Sequence, residues 1–173
     1  SWESAQRDYR SSNLNASRLR ALIINLVDDK YYFSALPWMK EYLATGTKSL
    51  DSKIEKSLSQ IILNVGLMQF ETLPLKFLAR SKSDNIRYII AKKYMRAKKN
   101  DKALNYLENI SQDHAIYPFA LNMLGTIYSI KGNETKAISA FTRCVRYSNS
   151  EISNKSSRRM VLNRDYCLLG KAR

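Results

Sequence analysis

The residues able to do chemistry in this chain are few and scattered. Its one histidine, His114, stands in the run Ser111-Gln112-Asp113-His114-Ala115 between two helical stretches. An imidazole acting as general base needs a carboxylate across the ring and a nucleophile within bonding reach. Asp113, its neighbour in sequence, is badly placed to orient it. His114 therefore reads as a loop residue between helical units. Asp28 and Asp29 have the charge to hold a cation, but between two apolar-periodic stretches they read as a solvated turn. The five glycines are scattered and form no phosphate-cradling loop, and Gly46, after Leu43-Ala44-Thr45, reads as a helix end. Cys144 and Cys167 make neither a CxxC nor a zinc spacing. They read as two small buried thiols, with pairing as the alternative. With no metal cluster and no nucleophile beside a base, the expectation is a non-enzymatic chain without cofactor or metal.

The cations are more informative. Between positions 76 and 102 lie Lys76, Arg80, Lys82, Arg87, Lys92, Lys93, Arg96, Lys98, Lys99 and Lys102, against only Asp84 and Asp101. Lys92, Arg96 and Lys99 follow i, i+4, i+7 and share a helix face. The plain reading is a solvated face that keeps a Lys-rich chain soluble. The sharper one is a docking surface for something acidic.

Elements must position these side chains, and composition says which kind. The 173 residues are 45% hydrophobic and carry only 5 Gly and 3 Pro, enough for one domain with a real core and few turns. Many Leu, Ile, Ala, Lys and Ser residues favour an all-helical chain. A formal net charge of +14 permits nucleic acid, anionic lipid or an acidic protein as partner without choosing among them. The longest mostly apolar run, Ala21 to Val27, is far too short to span a bilayer, so no transmembrane segment is expected. The compartment stays open: cytoplasmic, or periplasmic if the chain is exported and trimmed.

The chain repeats itself. Aligning Ala137 with Ala103 gives an offset of 34 residues, and Ile90 then falls on Leu124, Ala91 on Gly125, Tyr94 on Tyr128, Leu107 on Phe141 and Ile110 on Cys144. Each unit reads as two helices. In 84–117, Ile86, Ile90 and Tyr94 form one stripe, Lys98 to Asp101 break it, and Ala103, Leu107 and Ile110 form the next. In 118–151, Pro118 opens the first helix, Leu121, Leu124 and Tyr128 make its stripe, Gly132-Asn133 turns the chain, and Ala137, Phe141 and Cys144 face back. Small residues at Gly125 and Ala137 let two helices approach closely. Two more divergent pairs are expected at 16–48 and 50–82, linked by the echo of Phe33-Ser-Ala-Leu-Pro37 in Phe70-Glu-Thr-Leu-Pro74. Pro37 and Pro74 are placed early in their second helices, where a missing N–H costs little. Residues 1–15 read as a polar leader, and 155–173 as a terminal or truncated helix with Leu169-Gly170 as a close-packing pair. A helix without its second half suggests part of a longer array.

Leu121, Leu124-Gly125, Tyr128, Gly132, Ala137 and Phe141 resemble the tetratricopeptide repeat, a 34-residue helix-turn-helix unit. The unit at 84–117 shares Ala91, Tyr94, Ala103 and Leu107 but has Lys98 at the turn glycine, and neither unit ends in the usual proline. The resemblance implies a single α-solenoid of antiparallel helix pairs, wound as a right-handed superhelix, whose first helices line a concave groove for peptides or partner helices. The groove places fall on Asn85, Tyr88, Lys92, Met95 and Arg96, then on Phe119, Asn122, Thr126 and Ser129. Amides, rings and cations of this kind suit an extended acidic segment. The function expected is a protein-binding scaffold within a larger assembly. A nucleic-acid-binding helical repeat, using the basic surface and the eleven tyrosines, is the second choice. Attachment to an anionic membrane surface through Arg158, Arg159, Arg164 and Lys171 ranks last.

Overall fold

A computed structural model describes residues 16–45, 50–79, 81–154 and 158–173. The leader at 1–15, Gly46 and Arg80 lie outside them. Among the described residues every regular element is helical. Helix α1 (Ala16–Asp28) buries Leu19, Ile23 and Val27, spaced one helical turn apart. It is followed by α2 (Tyr32–Ala44), α3 (Ser52–Val65), a 3-10 turn at Met68–Phe70 and the one-turn helix α4 (Leu75–Leu78). Then come α5 (Asp84–Arg96), α6 (Asn100–Leu107), α7 (Tyr117–Ile130), α8 (Glu134–Asn154) and α9 (Arg158–Ala172). Helix α3 starts where the Asp51 carboxylate accepts from the amides of Lys53 and Ile54. Helix α5 starts where Ser83 Oγ accepts from the Ile86 amide, and α7 carries Pro118 in its first turn.

Consecutive helices pack as neighbours: α1 on α2, α5 on α6 and α7 on α8, with α3 against both α1 and α2. Helix α9 packs on α8, lies also against α7, and reaches across to α3. One continuous core runs through these layers, from Leu19 and Ile23 through Ile61, Ile89 and Leu107 to Leu121 and Phe141. Each such side chain removed from water contributes about 1.5 to 3 kcal/mol.

Three of the hairpin turns share one backbone device. Lys30, Lys98 and Gly132 follow α1, α5 and α7 with φ of 64°, 57° and 73°. Each leads into a six-to-one bond: Tyr31 N to Leu26 O, Lys99 N to Tyr94 O, and Asn133 N to Tyr128 O. Gly132 is 34 residues after Lys98, and Lys98 is 68 after Lys30. The break at Asp28-Asp29-Lys30 is thus the turn of an N-terminal pair in the same register. Lysine at position 98 does not abolish the turn; it adopts the left-handed conformation itself.

Several expectations need correction. The stretch 50–82 is not a full helix pair, because after α3 the chain forms only the 3-10 turn and the four-residue α4. Pro74 stands just outside α4 as its N-cap, and its ring restricts Leu73 against helix. Pro37 lies inside α2, past the first turn, so the helix lacks the N–H that would reach the Phe33 carbonyl. Ile110 is buried but follows the end of α6. Cys144 and Cys167 are not thiols: they form a disulfide joining α8 to α9.

Candidate partner-binding groove

Helices α5, α7 and α9 enclose a cavity of about 480 Å³. Tyr88, Lys92 and Met95 come from α5, and Phe119, Asn122, Met123 and Thr126 from α7. The third wall is α9, with Arg159, Leu162, Asn163 and Tyr166. One helix turn separates Tyr88 from Lys92 and Asn122 from Thr126, so each pair projects from a single face. Five of the seven residues expected to bind a partner therefore meet here: Tyr88, Lys92, Met95, Asn122 and Thr126.

The other two do not. Asn85 is 0% exposed and faces α3 rather than the cavity. Its amide nitrogen donates to the Glu55 carbonyl at 3.2 Å, to Glu55 Oε1 at 3.0 Å and to Ser59 Oγ at 2.8 Å. It is a buried bolt between α3 and α5. Arg96 points to another face, where its Nε pairs with Glu71 Oε2 at 2.8 Å and its side chain is 56% exposed. There it borders a smaller hollow of about 330 Å³ with Leu75, Lys93 and Tyr94. Lys93 donates to the Glu71 carbonyl, so this hollow's cations are partly spent on the segment before α4. Ser129 is exposed at the end of α7.

The cavity's polar groups are organised by Asn163, which is itself buried. Its amide donates to the Pro118 carbonyl at 3.1 Å, to Ser148 Oγ at 3.2 Å and to Cys144 Sγ at 3.4 Å. Its oxygen accepts from Asn122 Nδ2 at 3.0 Å. A single side chain thus ties α9 to both α7 and α8. Thr126 Oγ1 donates to the Asn122 carbonyl at 2.9 Å. Burial raises the Tyr88 phenol well above its ordinary pKa, against the opposing pull of nearby Arg159, so the ring stays neutral. Of the lining residues only Lys92 and Arg159 are charged, and both are cations. Arg159 also donates to the Val65 carbonyl at 2.8 Å, at the C-terminal end of α3.

Sequence reasoning missed the wall from α9. Leu169-Gly170 marked this helix as a packing element, and extending the groove pattern onto a third first helix would have reached Arg159, Leu162 and Tyr166. Asn163 gave no such signal, because its value lies in partners from three separate segments.

His114 is a bracket between units. Its Nδ1 accepts from the Ile116 amide at 3.1 Å and its Nε2 stands 3.5 Å from Glu55 Oε1. Burial works to raise the Glu55 carboxyl, but hydrogen bonds from His114 and Ser83 outweigh it and hold the group below its ordinary range. Glu55 stands between the imidazole and the Ser83 hydroxyl, and that hydroxyl caps α5. Asp28 and Asp29 sit in the first helix turn region, and no group of three or more metal-ligating side chains occurs among the described residues. No helix among them is long and apolar enough to cross a membrane. No protein-family model, curated protein or solved structure matches the chain.

Proposed function

We propose that this chain is a tetratricopeptide-like solenoid segment that docks an acidic segment of another protein in the cavity between α5, α7 and α9. The observation that carries this reading is the lining itself: two cations, no carboxylate, amides at Asn122 and Asn163, and rings at Tyr88, Phe119 and Tyr166. An extended peptide offers carboxylates to the cations, backbone groups to the amides and apolar side chains to the rings. The chain then acts by holding a partner in place, as a platform in a larger assembly. The disulfide favours the exported alternative over the cytoplasmic one, since buried disulfides persist in oxidising compartments.

The nucleic-acid reading is weaker. Tyr42, Tyr88 and Tyr117 are buried, while Tyr94 and Tyr128 sit under Lys102 and Lys136. Few rings are left as stacking platforms.

A fluorescein-labelled peptide of alternating Glu and Leu, with its Lys-Leu counterpart as control, tests the docking. Binding of the acidic peptide is expected, with a loss of about tenfold or more in Lys92→Glu plus Arg159→Glu and none in Arg96→Glu. Equal weakening by Arg96→Glu would place the contact elsewhere. Tighter binding of random single-stranded nucleic acid, with a steep salt dependence, would overturn the protein-docking reading.

A further inference from the structure

Helix α9 is held by little apolar burial. Of its 15 residues only Met160, Asn163 and Cys167 are buried, while Leu162, Tyr166, Leu168 and Leu169 are exposed. The rest of the hold is the Asn163 hydrogen-bond centre, the close contact of Gly170 with the Phe141 ring, and the disulfide to Cys144. Both sulfurs are fully buried, and they tie α9 to the middle of α8. Yet α9 supplies one wall of the cavity, including one of its two cations.

We propose that oxidation of Cys144 and Cys167 switches the cavity on: the dithiol chain has a two-walled, open groove, and the disulfide chain a three-walled one. In the step, the two thiols lose two electrons and two protons as the S–S bond forms, and a small-molecule or protein disulfide is reduced to two thiols. A chain that is still reduced, as during synthesis, would then hold its partner weakly, and arrival in an oxidising compartment would arm it. This inference rests on the docking reading for its consequence, but not for the conformational change.

The experiment compares the full chain oxidised with glutathione disulfide and reduced with dithiothreitol. Hydrogen exchange is followed over 158–173 and over 84–130, alongside affinity for the Glu-Leu peptide. Reduction is expected to speed exchange in 158–173 about tenfold or more, with 84–130 unchanged, and to weaken the peptide by a similar factor. Cys144→Ser plus Cys167→Ser should match the reduced form and ignore dithiothreitol. Its hydroxyls enter a polar surround, since Ser148 Oγ and Asn163 Nδ2 lie 3.9 and 3.4 Å from the Cys144 sulfur. Unchanged protection of 158–173 overturns the proposal. So does a loss of protection in both segments together, which would make the disulfide a staple for the whole fold. Opening of 158–173 with no peptide bound by either form would leave the switch standing and remove the docking reading.

Discussion

At the scale of single residues, the same ring explains two glycines. A Cβ on Gly125 would stand 2.5 Å from a Phe141 ring carbon, and one on Gly170 would stand 2.6 Å from another. With α7 on one side and α9 on the other, the ring has no free direction in which to yield. Gly125→Ala and Gly170→Ala are each expected to cost about 1 to 3 kcal/mol by overpacking, read as a lowered urea midpoint. Gly132 is glycine for a different reason: a Cβ there meets nothing within 4 Å, but φ is 73°. Lys98 bears that same backbone cost with a side chain attached. Lys98→Gly is therefore expected to raise stability by up to about 1 kcal/mol, and thermal unfolding of the pair Lys98→Gly and Gly132→Ala should shift in opposite directions. These packing and turn positions were legible in the sequence, because close approach and positive φ leave a mark on residue type. The roles of Asn85 and Arg96 were not, since helix register says which turn a residue occupies but not which of two neighbouring helices its side chain meets.

Elements bring a different kind of test. The start of α3 is organised by Asp51, which accepts two backbone amides and pairs with Arg20 of α1 at 2.5 and 2.9 Å. Hydrogen bonding to the Arg20 guanidinium, helped by the amides of Ile54 and Lys53, holds the Asp51 carboxyl far below the usual carboxylate range. A carboxyl with a lowered folded pKa stabilises above its unfolded value, near 4, and loses that contribution as pH falls towards the folded value. Asp51→Ala should cost about 1 kcal/mol for the cap at neutral pH. The gap in urea midpoint from the parent chain should narrow below about pH 4; a gap constant down to pH 3 would mean the charge contributes nothing. The side chain is 47% exposed, so the Arg20 pair adds little beyond the cap. Helix existence was legible here from apolar spacing. The collapse of the expected pair at 50–82 was not: Leu75 to Leu78 is too short for periodicity to distinguish from loop, and Pro74 marks where a helix begins without saying how far it runs.

For the molecule as a whole, a register repeated at 34 residues sets where the chain turns, and the packing of successive helices sets where a cavity can form. The sequence made the repeat legible because turns and close contacts are local events. It left the third wall hidden, because α9 acquires its meaning from contacts made with α3, α7 and α8 at once. It also left the disulfide hidden, since a spacing of 23 residues corresponds to no motif and becomes a pairing only when α9 folds back along α8. Closing a loop of that size stabilises by about 3 kcal/mol in the chain-entropy picture, comparable to the burial of one or two large apolar side chains.

Arg159 has two claims on its guanidinium. It donates to the Val65 carbonyl at the end of α3, and it borders the cavity where an acidic ligand would lie. A ligand carboxylate and that carbonyl are rivals for the same N–H groups. Occupancy of the groove would therefore be announced at a distance, as a loosening where α3 ends and the chain turns at Gly66.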